Sequence, residues 1–464
     1  MEKRGGKEGM DFFLPSAKSK SEDHTSDGDL KWWQLSLIGV GSTIGTGFFL
    51  GSAIGIKITG PSIVLSFILA AIGTYIVYNL LAKMTAADPQ DGSFCYYANK
   101  AYGRWAGFSS GWNYWSSNIL IMGSQLTALS ILSQFWFPNI PIWIFATVYA
   151  VLSIVVVLTG NKGFDKVEDF LAVMKTAAII MFILIVVAAL FGLFHLEAQK
   201  LNIPNSTQKF FPNDFKGFWS SLIYAFYAYG GIEVIGLMAL RLKKKEDAPK
   251  AGMIMLIFLV ILYVLSLGLA VLLAAHGDFN DKESPFVTAL SPFRLGFFPH
   301  VFNAAIILAG FSTMTASLFG VTTLLVTLAE DGDAPKIFAK KIKRWKSLPL
   351  PSLGLAIVGL IASIVTALLL PGKIYEYITT AAGILILFNW AFIILSGLKL
   401  VELKAWGKIL AIIGIVLILA AVIGTLAEKS IRMGFFISMI VVFLIGLISF
   451  FLQKKVWNKA HGAK

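Results

Sequence analysis

From Trp33 to Leu452 the chain is written in apolar runs of about twenty residues separated by short polar connectors, the length a membrane-crossing helix needs. Neither the two-residue alternation of a half-buried strand nor the single apolar stripe of a surface helix describes it. Read for such runs, the sequence predicts twelve spans, at 33–56, 62–84, 105–134, 142–160, 167–194, 217–240, 251–275, 298–329, 353–370, 374–398, 408–426 and 433–452. The third and eighth exceed a straight crossing, which predicts tilt or extension beyond the bilayer. Ahead of them, residues 1–31 are polar, of mixed charge and rich in Ser, Lys and Asp. They read as a solvated cytoplasmic tail, and the first apolar run, with no small-residue cleavage site after it, reads as a retained span.

Composition agrees: 57% of the 464 residues are hydrophobic and 14% charged, with a mean hydropathy of +0.76, a balance that calls for a lipid bilayer as partner. The formal charge of +13 raises nucleic-acid binding, and the placement of the basic residues removes it. With both termini inside, 29 of the 39 Lys and Arg fall in the tails and inner loops and 9 in the outer loops, the asymmetry expected of a multi-pass plasma-membrane protein with cytoplasmic ends. One cysteine, Cys95, leaves no intramolecular disulfide or cysteine metal cage. The five histidines (24, 195, 276, 300 and 461) lie in tails or outer loops, with no HExxH or GxSxG, so no metal, cofactor or enzyme activity is expected. The absence of GxxxxGK[ST] argues against ATP-driven transport.

Two ionisable residues remain deep in the predicted spans: Lys175 in the fifth and Glu233 in the sixth. A charge in hydrocarbon costs about 3 kcal/mol on insertion scales, so each needs a partner or water. Snorkelling of Lys175 toward the cytoplasm, and a protonated Glu233 bonding neighbouring helices, are the structural alternatives to a role in coupling.

The first span carries five glycines between Gly39 and Gly51, and the sixth carries Gly230-Gly231 just before Glu233. Each glycine weakens a helix by roughly 1 kcal/mol relative to alanine, so both spans are expected to break. Unwinding near Thr43 to Gly47 frees backbone N–H groups and a half-helix N-terminus for a carboxylate. Gly41/Gly45, Gly47/Gly51 and Gly51/Gly55 are also GxxxG pairs, so close helix packing stays open as a second use. The two breaks open two blocks of five spans, as inverted-repeat transporters place them.

Gly-Ser-Thr-Ile-Gly-Thr-Gly-Phe-Phe (41–49), Asp91-Gly-Ser-Phe with Tyr96-Tyr-Ala, Gly-Phe-Ser-Ser-Gly-Trp-Asn-Tyr-Trp (107–115), the Lys175 helix and Phe-Tyr-Ala-Tyr-Gly-Gly-Ile-Glu (226–233) together resemble the amino acid–polyamine–organocation (APC) superfamily, and within it the bacterial proton-coupled amino acid permeases. The resemblance covers the first ten spans. It implies an all-α membrane fold with a 5+5 inverted-repeat, LeuT-like core plus two C-terminal helices. It also implies a carboxylate-binding stretch at Thr43, Gly45, Thr46 and Gly47, and carbonyls of Ala228, Tyr229 and Gly230 for the ammonium. Tyr227 matches a position whose aromatic closes over bound substrate, with a lipid-facing or interfacial ring as its bland alternative. Lys175 matches a lysine that stands where sodium-coupled relatives hold their ion, which makes it the proton switch, with Glu233 a second candidate.

The units expected are a tail at 1–31, repeats at 32–194 and 216–398 joined by an outer loop at 195–215, and two added helices with the C-terminal tail at 399–464. Proton symport of a neutral amino acid by alternating access is the leading expectation, neutral because no further charge stands near the presumed pocket. An amino acid exchanger and a non-transporting nutrient sensor are the alternatives. Ser312, Thr313, Thr315 and Ser317 of the eighth span line the path or hold helices together. Nothing specifies the carried side chain or the oligomeric state.

Overall fold

The computed structural model describes residues 30–90, 92–159, 161–191, 201–233, 236, 239, 242–293, 295–296, 298–341, 348–369 and 373–457, without the side chains of 161–172, 367–369 and 456. The 1–29 stretch of the tail, Asp91 of the second motif and part of the 195–215 loop therefore lie outside the described residues. Among those residues all regular secondary structure is helical, apart from one isolated parallel bridge between Leu30 and Leu242.

Both expected breaks are present. The first span is α1 (Trp32–Thr43), an extended step at Ile44 and Gly45, α2 (Thr46–Phe49) and α3 (Gly51–Thr59). α2 and α3 continue each other through Leu50, which keeps right-handed helical angles. After α4 (Ile63–Ala87), a short α5 (Ser93–Tyr102) and α6 (Arg104–Ser133) are separated by Gly103 at φ +91°, a left-handed conformation that glycine adopts without penalty. Then come α7 (Ile142–Leu158), α8 (Asn161–Leu190) and the single turn α9 (Thr207–Phe210). The sixth span starts as α10 (Asp214–Ala228), stops at Tyr229 to Gly231, and is helical again at Ile232 and Glu233. Gly231 turns the chain at φ +107°.

The rest is α11 (Ala248–Leu273), α12 (Pro285–Leu290), α13 (Phe298–Glu330), α14 (Leu350–Leu369), α15 (Ile374–Leu400), α16 (Ala405–Gly424) and α17 (Arg432–Leu452). Seven described helical stretches are long and apolar enough to cross a membrane by length and hydropathy alone, and α7 and α14 are shorter apolar helices. The first of the seven, Thr46–Ala87, joins the second half of the first span to the second span, and the third and sixth spans fall outside both groups.

Most predicted bounds agree to within three residues. The fifth span differs, because α8 begins at Asn161, six residues early. Lys162, Asp165 and Lys166 end the apolar run there without ending the helix. The helices α5 and α12 were not predicted, since neither contains an apolar run of membrane length.

α6 runs through the centre of the bundle, packed against α13 on one side and α15 on the other. α10 lies along α3 and α4, and α1 along α11. Glycine supplies the close approaches: a Cβ on Gly217 would sit 2.5 Å from the Ile58 carbonyl, and one on Gly55 would touch Ile63 and Tyr224. Thus the first span's glycines serve packing along α3 and the break at Gly45. α16 and α17 pack on the outside of this core; only 11% of the apolar window around α17 is buried, which leaves its Phe436, Ile440 and Phe443 for lipid.

Candidate functional site

The two breaks meet. A Cβ on Gly231 would stand 3.0 Å from the carbonyl oxygen of Ser42, so the sixth span passes the first with no room for a side chain. On the first span, the Thr43 hydroxyl donates to the Gly39 carbonyl at 2.8 Å, a bond within its own helix that commits its proton and so leaves it no donor for a carboxylate. Gly45 is backed by Thr313, whose side chain lies 3.2 Å from where a Cβ would be. Thr46 and Gly47 open α2, and their N–H groups have no partner one turn earlier, as in the first turn of any helix. The Thr46 side chain is fully buried, and its Oγ1 has no hydrogen-bond partner among the described residues. Gly47 lies under the Tyr227 ring, which a Cβ would approach to 2.7 Å.

On the sixth span, the N–H groups of Tyr229 and Gly230 bond back to Phe226 and Tyr227 at 3.0 Å each, closing the end of α10. The Ala228 carbonyl accepts from the Tyr263 hydroxyl of α11 at 3.2 Å. Tyr263 is stacked on Phe48 of α2, with centroids 3.8 Å apart, so one side chain joins both breaks. Ser124 of α6 is 2.6 Å from the Thr379 hydroxyl of α15. From α15, Tyr375 donates to the Thr46 carbonyl at 3.2 Å. Tyr227 is therefore a buried ring across Gly47, not a lipid-facing one.

Lys175 is fully buried in α8, and its Nζ donates to the Gly41 carbonyl at 3.0 Å, one turn before the break. Its side chain does not reach toward either end of the span. Glu233, 3% exposed, folds back so that both carboxylate oxygens accept from the Gly231 N–H at 3.3 Å, and Oε2 accepts from the Trp390 indole at 3.3 Å. A carboxylate at that place satisfies an N–H at the start of the resumed helix and complements its dipole.

The geometry brings Gly45, Thr46, Gly47, Tyr227, Ala228 and Gly231 to one locus. Lys175 stands behind the first break and Glu233 behind the second. Tyr263, Tyr375, Ser124 and Trp390 complete the surroundings, and the sequence reading named none of them. A tyrosine or serine in an apolar run carries no positional signal beyond its hydroxyl; only the tertiary fold assigns it a neighbour. Among the described residues no cluster of metal-ligating side chains occurs.

Among the described residues, a bundle of apolar helices with two spans broken at mutual contact, and a buried lysine bonded beside one break, make a multi-pass membrane protein of LeuT-like fold. Among solved structures, a manganese transporter of Eremococcus coleocola superposes with a TM-score of 0.58 over 96% of this chain and 97% of its own, at 13% identity, which bears on fold alone. The chain belongs to the amino acid permease family, whose model matches residues 34–462. It is 52% identical to the uncharacterised transporter YcgH of Bacillus subtilis over 96% of this chain and 99% of that protein. It is also similar to the aromatic amino acid transport protein AroP, at 30% identity for Corynebacterium glutamicum (89% of this chain, 92% of that one) and 31% for Escherichia coli K12 (80% and 81%).

Proposed function

We propose that this permease imports a neutral amino acid by proton symport, alternating access to a site between the two breaks, in the plasma membrane with both termini cytoplasmic. The amino acid carboxylate is held by the N–H groups of Thr46 and Gly47 and the free hydroxyl of Thr46. Its ammonium is held by carbonyls at Tyr229 and Gly230, with Ala228 already in part engaged by Tyr263. Tyr227 lies over Gly47 and shuts bound substrate from solvent.

The observation that carries coupling is the Lys175 amine on the Gly41 carbonyl. Burial disfavours a charged ammonium, so it persists only where carbonyls repay part of the desolvation. When the inner half of the first span moves, that bond breaks, the ammonium loses the Gly41 acceptor and the balance shifts toward the neutral amine. Glu233 holds the second break, and its protonation would release the Gly231 N–H and Trp390. A neutral cargo fits the surroundings of Thr46, Gly47, Tyr227 and Gly230, where the described neighbours are hydroxyls, main-chain groups and aromatic or apolar side chains. The AroP relatives, named for aromatic amino acids, fall in the same charge class.

Uptake of a labelled panel of neutral, cationic and anionic amino acids into proteoliposomes with an inside-alkaline gradient tests the reading. Concentrative uptake confined to neutral members and abolished by a proton ionophore is expected. Uptake of only charged members, or indifference to the ionophore, would overturn it.

A further inference from the structure

Gln125 of α6 is 5% exposed, and its Oε1 has no hydrogen-bond partner among the described residues. An amide oxygen kept dry and unpaired is costly unless something else pairs with it during the working cycle. Its surroundings say what. The preceding residue, Ser124, bonds Thr379 of α15, and one turn on from Thr379 a Cβ on Gly383 would lie 3.6 Å from the Tyr227 Cβ, so this turn of α6 lies near the ring that covers Gly47. Leu129, four residues on and hence on the same helix face, lies 2.9 Å from where a Cβ on Gly310 would be, and that point is 2.5 Å from the Thr46 Cγ2. α2 itself packs on α6.

Gln125 thus stands on the face of α6 turned to the first break, one turn from the wall that holds another buried oxygen without a partner among the described residues, Thr46 Oγ1. Asn113 and Trp115, which also carry unpaired buried atoms in α6, are about three turns away toward Arg104 and belong to a different layer. The main-chain groups of the breaks serve the carboxylate and ammonium that every amino acid has, which leaves the carboxamide for what differs between amino acids.

We propose that Gln125 is a specificity-determining residue whose carboxamide takes a hydrogen bond from a hydroxyl or ring N–H on the substrate's side chain. The assignment rests on the reading of the chain as a neutral amino acid carrier. It makes the preferred cargo a neutral amino acid with one side-chain donor, because a cargo without the donor leaves the amide unpaired when the site closes.

Matched pairs test it: L-tyrosine against L-phenylalanine, L-threonine against L-valine and L-serine against L-alanine, by inhibition of uptake in proteoliposomes and by thermal shift of the purified protein. In the pair whose size fits, the donor-bearing member should bind at least about tenfold tighter. Gln125→Leu should bring that pair to within about twofold while uptake continues. Should Gln125→Leu not fold, Gln125→Met takes its place, and the wild-type ratios alone still decide. Equal binding within every pair, or a preference that survives the substitution, would refute the role of Gln125 and leave amino acid transport standing. If no amino acid binds or moves at all, the functional reading falls with it.

Discussion

Lys175 is the residue whose chemistry is hardest to explain structurally. A buried amine gains less from its hydrogen bonds than its desolvation costs, and an apolar side chain of the same length would pack at no such cost. Its presence in α8 was legible because an ionisable residue in an apolar run is conspicuous in any sequence. Glu233 was conspicuous for the same reason. Gln125 and Tyr263 were not, since an uncharged polar residue or a tyrosine in a span is ordinary until its neighbours are known. At Gly47 the requirement is purely steric: Gly47→Ala would put a methyl 2.7 Å from the Tyr227 ring, which must move off the break. The expected result is a KM raised at least about tenfold with near-normal expression, since the cost falls on the closed site. Uptake kinetics beside a fluorescence size-exclusion profile would check it.

Among the elements, the broken helices were predictable and the short helices were not. Glycine density marks the breaks at Ile44–Gly45 and Tyr229–Gly231 from sequence alone, whereas α5 and α12 are too short for hydrophobic length to reveal. Gly231, at φ +107° and 3.0 Å from the Ser42 carbonyl, admits no side chain. Gly231→Ala should cost about 1–2 kcal/mol in backbone strain alone and depress both melting temperature and transport. A variant as stable and active as wild type would contradict the contact between breaks.

Where α13 ends, Asp333 bonds Arg104 at the start of α6 (2.9 Å to Nη2), and Arg104 also lies 5.0 Å from the centre of the Trp457 ring. Burial pushes the Asp333 carboxyl above the usual range, and the Arg104 guanidinium pulls it partly back. A raised carboxyl contributes stability that is present below its unfolded value and lost as pH rises through the folded one. Arg104→Met lets it rise further. The variant's loss of melting temperature should therefore be largest near pH 7.5 and shrink toward pH 5; a deficit independent of pH would show the pair is not what the substitution disturbs.

For the whole molecule, the spans were readable because lipid imposes a length that needs no tertiary information, and the family because short motifs around the glycines, Lys175 and Glu233 resemble it. Which way the bundle faces rests on the charge asymmetry of the loops. In a Cys95→Ser background, a cysteine at Lys404 should be shielded from impermeant thiol reagent in intact cells, and one at Lys282 labelled. The reverse pattern would invert the proposed topology and turn import into export.

The coupling claim is reached most directly by Lys175→Ala in proteoliposomes, comparing proton-driven accumulation with substrate counterflow at equal pH. Proton symport through Lys175 predicts that accumulation disappears, since no amine is left to carry the proton between the two states. Accumulation that persists and still collapses with an ionophore would move the proton to another group, and gradient-independent counterflow as the only activity of the wild type would make the protein an exchanger.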